Sequence, residues 1–334
     1  MTNRRILIRS FAGALLLSAA ATARAQKATA QKVKSFSIGY LALLPGEDRM
    51  SFMASFKGRL NELGYVEGER SHLHYRSAEG RPELLPDLAS ELVGLKPDVL
   101  VTGFGTVAAK AGKAAAGGVP VVFMAVGDPV GAGVVESLPR PGGNVTGLSD
   151  LASNLQGSRL QLLREIAPAV SLVAVVLNPG TPYAALAYKE LEAAAKVAKI
   201  ELRPFEVRSV EEITPQLHAT RPAGAGALVI FEDPLTLSRR DEIATLASQL
   251  RLPAVYGYRE FAEAGGLMSY GTDHRAQWRR GAELVDLVLK GTRPADIPVE
   301  QPTRFELVVN LKAAKDLDLA IPPTIMVRVD DVIE

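Results

Sequence analysis

The chain has 334 residues, 47% of them apolar and 22% charged, which suits two globular domains of ordinary size and excludes a disordered or fibrous protein. Its formal net charge is +1, with no cysteine. No basic cluster stands out, so nothing suggests nucleic acid as a partner, and disulfides are excluded.

Arg4, Arg5 and Arg9 precede an apolar run from Phe11 to Ala23 that closes in Ala23-Arg24-Ala25, the layout of a secretory signal. The run falls short of the ~20 residues that a spanning helix requires. Cleavage near Ala25–Gln26 removes four Arg and no acids, leaving 34 basic and 37 acidic side chains, a net of −3. Arg4-Arg5-Ile6-Leu7-Ile8 is a loose match to a twin-arginine signal, and the general secretory route stays open. Without a cysteine to lipidate, the mature chain is expected to be freely soluble in a periplasm.

From Ser35 onward, short apolar runs alternate with helical patterns. "FSIGYLAL" (36–43) reads as a buried strand, and Met53, Phe56, Leu60 and Leu63 follow at helical spacing before Gly64. "SHLHYR" (71–76) is a second strand, and Pro82 opens a helix carrying Leu84, Leu85, Leu88, Leu92 and Leu95. "DVLVTG" (98–103), an Ala-rich helix from Thr106, and "VPVVFM" (119–124) complete a first set. The order then restarts with "SLVAVVLN" (171–178), a helix after Thr181-Pro182, "IELRPFEV", a helix from Val210 to Thr220, "GALVIF" (226–231), a helix to Leu250, and "LPAVYG" (252–257). Continuous apolar strands alternating with helices predict an α/β fold of two Rossmann-like parallel-sheet lobes. "RPGGNVTGLSD" (140–150), a turn plus short strand, and "AGGLMSYGTD" (264–273), a strand, are expected crossings between lobes, and after a helix at 272–290 the Pro-rich 291–305 is expected to cross a third time. The predicted division is 1–25 for the signal, 35–145 with 272–300 for lobe one, and 146–271 with 301–334 for lobe two.

Enzyme signatures are missing. There is no G-x-G-x-x-G after the first strand, no P-loop, no G-x-S-x-G elbow and no H-E-x-x-H. His72 and His74 share a strand face without a third ligand nearby, and Trp278 lies on an apolar helix stripe, so both read as structural. No cofactor or metal is expected. The positive signal lies at strand ends, where open parallel sheets bind ligands. Lobe one offers Leu44, the turn Phe104-Gly105-Thr106, and Gly127-Asp128; lobe two offers Asn178, Tyr183, Asp233, Tyr256 and Glu260. Glycines beside Thr106 would let a carboxylate approach free helix N–H groups, or simply make a tight turn. Asp233, before Pro234, reads first as a helix cap; Asp128, in a Gly-rich surround, reads as an acid for a ligand cation.

Long segments carry a resemblance: "LGYVEGE" (63–69), "EGRPELLPDLASELV" (79–93), "GDPVGAGVVESLPRPGGNVTGLS" (127–149), "YREFAEAGGLMSYG" (258–271) and "VEQPTRFELVVNLKAAKDLDLAIP" (299–322). Over essentially the whole mature chain they resemble the ATP-binding-cassette (ABC) transporter substrate-binding proteins related to tryptophan/tyrosine-uptake binding proteins. The resemblance implies the type I periplasmic-binding-protein fold, a small, amino-acid-like ligand held between hinged lobes, delivery to an ABC permease, and no catalysis. It also suggests Asp128 for a ligand ammonium and Thr106 for its carboxylate, with Phe104, Tyr183 and Tyr256 as stacking partners. A monomer is expected. A ligand-sensing module for a membrane receptor and, less favoured, a periplasmic enzyme are the alternatives.

Overall fold

A computed structural model describes residues 34–150 and 152–334. The expected signal segment, 1–25, lies outside the described residues. The first sheet contains β1 (Phe36–Ala42), β2 (Ser71–Ser77), β3 (Val99–Thr102), β4 (Val121–Val126) and β5 (Val145–Ser149), ordered β2-β1-β3-β4-β5. All four pairings are parallel. Helices α1 (Ser51–Glu62), α2 (Leu85–Gly94) and α3 (Thr106–Ala115) connect them. Covered on both faces, β3, β4 and β5 are buried throughout, which is why their sequences are continuous apolar runs and not alternating ones.

The second half repeats the plan. Its strands are β6 (Leu172–Leu177), β7 (Glu201–Glu206), β8 (Ala227–Ile230), β9 (Ala254–Tyr256) and β10 (Met268–Thr272). They run β7-β6-β8-β9-β10, the order of the first sheet position for position, and β11 (Phe305–Asn310) and β12 (Asp331–Ile333) extend it. Only β11 runs antiparallel to its neighbour β10. The helices of this half are α4 (Gln156–Ile166), α5 (Pro182–Ala198), α6 (Val210–Thr220), α7 (Pro234–Ser238), α8 (Arg240–Gln249), α9 (Arg259–Glu263), α10 (His274–Leu289), α11 (Leu311–Asp316) and α12 (Pro323–Met326).

The two halves exchange helices. α4 follows β5 of the first sheet yet lies on α5, β8 and β9, whereas α10 follows β10 of the second sheet yet lies on α1 and β4. Hydrogen bonds fix α10 in its adopted lobe: Trp278 Nε1 donates to Tyr40 Oη at 3.0 Å, and Tyr65 Oη donates to Asp286 at 2.9 Å. The lobes are therefore joined by the stretches before α4, before α10 and after 300, and each lobe is completed by chain from the other half. The segment 140–150 turns and supplies the short strand β5 to the first sheet, and the passage to the second lobe comes after Ser149. The expected boundary at 145/146 thus falls inside the first lobe's sheet. The Pro-rich return runs beside β5, with Ser149 N–H donating to Glu300 O at 2.8 Å and Glu300 N–H to Gly147 O at 3.1 Å, before it enters β11.

β4 ends irregularly. Its register against β5 shifts between Phe123 and Val126, and Ala125 between them holds φ +46°, a left-handed conformation uncommon for a residue with a Cβ. Irregular strand ends of this kind re-aim the chain. Here the re-aimed chain is the loop from Gly127, and Asp150 N–H closes the structure by donating to Val126 O at 2.8 Å.

Candidate functional site

Both sheets point the carboxyl ends of β1–β5 and of β6–β10 at one seam. From lobe one come the loops after β3, β4 and β5; from lobe two, those after β6, β8, β9 and β10. The lobes touch here. A Cβ added to Gly105 would stand 3.3 Å from Pro234, and one added to Gly127 would stand 3.6 Å from Tyr183. The phenyl ring of Phe104 meets Tyr258 of the opposite lobe at 5.6 Å, edge-on.

Charged side chains converge in this seam although burial makes isolated charge costly. Arg159, on α4, is fully buried and pairs with the buried carboxylate of Glu232, which follows β8. Its Nε donates to Tyr270 O at 2.7 Å. Tyr183 Oη donates to the other oxygen of Glu232, and Gln156 Nε2 donates to Tyr183 Oη at 3.0 Å. Gly257 makes room for the carboxylate: a Cβ there would overlap the Glu232 side chain. Near the crossing segments, Asp150 accepts from Thr272 Oγ1 at 2.7 Å and meets His274 Nε2 at 3.3 Å.

These partners set the protonation states. Burial acts against the Arg159 guanidinium, but the charge of Glu232 and the hydrogen bond to it outweigh burial and leave its pKa raised. Burial and the Glu232 carboxylate push the Tyr183 phenol well above its usual value. Burial raises Glu260, and it raises Asp233 to about 6 despite the hydrogen bonds from Leu235 and Asn178. Arg159 Nη1, Gln156 Oε1 and Glu260 Oε2 are among the buried polar atoms that have no hydrogen-bond partner among the described residues. A donor on a cation and two acceptors, left over on side chains near the seam, suit a small molecule carrying charges of both signs. Among the described residues, no group of three His, Asp or Glu side chains could hold a metal ion.

The expected site residues divide. Gly105, Thr106, Gly127 and Tyr183 are at the seam, and Phe104 joins a buried ring cluster with Phe52, Tyr258, His274 and Trp278. Gly105 is the N-cap of α3 at φ +94°, and no side chain caps that helix start. Glu260 is buried beside His274. Asp233 caps α7 by accepting Leu235 N–H at 2.8 Å, and Asn178 Nδ2 approaches its carboxylate at 3.3 Å. Leu44 is fully buried in the lobe-one core, and the Tyr256 ring stacks on Phe261 at 4.6 Å inside lobe two, because its position in β9 turns it toward the core side of the sheet. Asp128 serves the turn: its Oδ1 accepts Gly131 N–H at 2.8 Å. Sequence reading missed Arg159, Gln156, Asp150 and His274. Arg159 did carry a signal, since it sits in register with Leu162, Leu163 and Ile166 on the apolar stripe of α4.

Comparison with known proteins gives this geometry a setting. Residues 37–333 match the family described as ABC transporter substrate binding protein. A Tyrosine-binding protein of Clostridioides difficile is 26% identical over 294 residues, covering 88% of this chain and 84% of that one. A Streptococcus pneumoniae ABC domain solved in complex with L-Trp superposes with a TM-score of 0.80 at 26% identity, covering 89% of this chain and all of that one. A conserved domain protein from Vibrio cholerae superposes at 0.83 with 28% identity, over 90% of this chain and all of its own.

Proposed function

The chain belongs to the ABC transporter substrate binding protein family, and we propose that it captures an aromatic amino acid between its lobes and presents it to an ABC permease from the periplasm. The observation that carries the ligand class is the buried charged cluster at the seam, where Arg159 pairs with Glu232 and keeps a guanidinium nitrogen without a partner. In this reading the ligand carboxylate lies between the uncapped start of α3 at Gly105–Thr106 and Arg159 Nη1, so that it engages both lobes. The ammonium faces the buried acids of lobe two, Glu232 and Glu260, in place of the Asp128 that the sequence suggested. Phe104, Tyr183 and Tyr258 offer ring surface to the side chain. Contacts to both lobes favour the closed arrangement, which is the physical basis of capture. The relatives known with tyrosine and L-Trp support the choice of aromatic side chain.

The permease and the periplasmic setting rest on family membership and on the signal pattern in the sequence. Among the described residues, no helix is long and apolar enough to cross a membrane. Calorimetric titration of the mature protein with L-Trp, L-Tyr and L-Phe, against L-Ala and ribose, tests the ligand class. Binding of ribose with none of the aromatic amino acids would refute it.

A further inference from the structure

The hinge contains a polar pin that ligand capture alone does not require. Asp150, in the first crossing, holds Thr272 and His274 of the second, at 2.7 and 3.3 Å. One turn into α10, Gln277 Nε2 donates to Ser149 O at 2.9 Å. Ser149 in turn holds Glu300, at the start of the third crossing, through its N–H at 2.8 Å. The His274 ring is almost fully buried, between Phe104 (4.9 Å) and Trp278 (5.7 Å) of lobe one and Tyr258 (5.2 Å) of lobe two. The charged groups that face it are Asp150 from the crossing, Glu260 from α9 and Glu306 from β11. Arg159 acts on Asp150 from α4, and Arg259 and Arg275 pair with Glu306.

We propose that His274 is a positioning residue for ligand capture: its imidazolium, paired with Asp150, holds the crossings in the closed arrangement, so that closing takes up a proton. This rests on the seam being the ligand site. Burial pulls the imidazole down, yet the hydrogen bond and charge of Asp150, with Glu260 and Glu306, outweigh burial and leave it above the ordinary histidine value. Asp150 shows the converse: burial pushes it up, and the hydrogen bond and charge of His274 outweigh that and leave it lowered. When the lobes part, Phe104 separates from Tyr258, water reaches the ring and the imidazole returns toward its ordinary pKa of ~6.5. The closed-state value is the higher one. Its contribution to closure is therefore complete below the open-state value and lost as pH rises through the closed-state value.

The test is L-Trp titration of the mature chain from about pH 6 to 8.5, below the ammonium range of the ligand, for wild type and His274→Gln. Glutamine keeps an N–H for Asp150 but does not titrate. Wild-type affinity is expected to weaken as pH rises above ~6.5, by at most about tenfold per pH unit for a single proton, and the variant to show a flat profile. A flat wild-type profile overturns the proposal, as does the same slope in the variant. Small-angle scattering of the ligand-free wild type over the same range requires neither variant nor ligand. A radius of gyration that grows with pH supports the pin and a constant radius overturns it. L-Trp failing to bind at every pH while the radius still responds counts against the ligand reading and not against the pin.

Discussion

Replacing Arg159 by methionine perturbs the cluster at its centre. The guanidinium is fully buried, pairs with Glu232 and donates to Tyr270 O at 2.7 Å. Methionine fills similar space but leaves Glu232 as an unpaired buried carboxylate. Removing one partner of such a pair costs ~3–5 kcal/mol, and the bonds Glu232 keeps from Tyr183 and Gln156 argue for the lower part of that range. At ~2–4 °C per kcal/mol for a unit of this size, the melting temperature of the ligand-free protein should fall by roughly 10 °C. Adding Glu232→Gln removes the orphaned charge, so the double variant should recover at least half of the loss, a coupling of ~2 kcal/mol. Urea unfolding followed by circular dichroism gives both quantities. A single-variant cost below ~1 kcal/mol, or strict additivity in the double variant, would show that the pair does not hold the seam.

Other consequences follow from single contacts. Asp233 titrates near 6 because burial raises it; a raised acid stabilises the fold below its unfolded pKa and loses that contribution as pH rises through about 6. Asp233→Asn keeps a cap for α7, so thermal melts should show it more stable than wild type at neutral pH, by at most ~3 kcal/mol, and not at pH ~4. Gly257→Ala puts a Cβ where the Glu232 side chain lies, and overpacking of this kind costs ~1–3 kcal/mol; L-Trp affinity should fall with it, and an unchanged affinity by calorimetry would mean that Glu232 is free to move. Asp128→Ala removes the acceptor for Gly131 N–H and should cost ~1 kcal/mol in urea unfolding, whereas Asp128→Asn should be nearly neutral. A large affinity loss in Asp128→Asn at full stability would return this acid to the ligand.

The strands and helices were legible because burial on both faces writes itself into consecutive residues: "VPVVFM" and "GALVIF" admit few other readings. The matching order of the two sheets was visible in the restart of the strand–helix order at "SLVAVVLN". Asp233 was legible as a cap because its determinant, the Pro-Leu that follows, is local. The exchange of α4 and α10 between lobes was not legible, since nothing in a helix's own pattern says which sheet receives its apolar stripe. That exchange brings Arg159 to Glu232, 73 residues away, and His274 to Asp150, 124 residues away. Such pairs have no spacing rule. Tyr256 is the opposite case: a strand-end tyrosine has two faces to choose from, and Phe261 supplies a partner on the core side.

The central claim is that an aromatic amino acid binds where Arg159 meets the start of α3. Calorimetric titration of L-Trp into wild type and Arg159→Gln tests it most directly. The account predicts one site per chain, and a loss of affinity of at least ~30-fold in the variant, the scale of a charge-assisted hydrogen bond. Equal affinity in the two proteins would place the ligand elsewhere and contradict it.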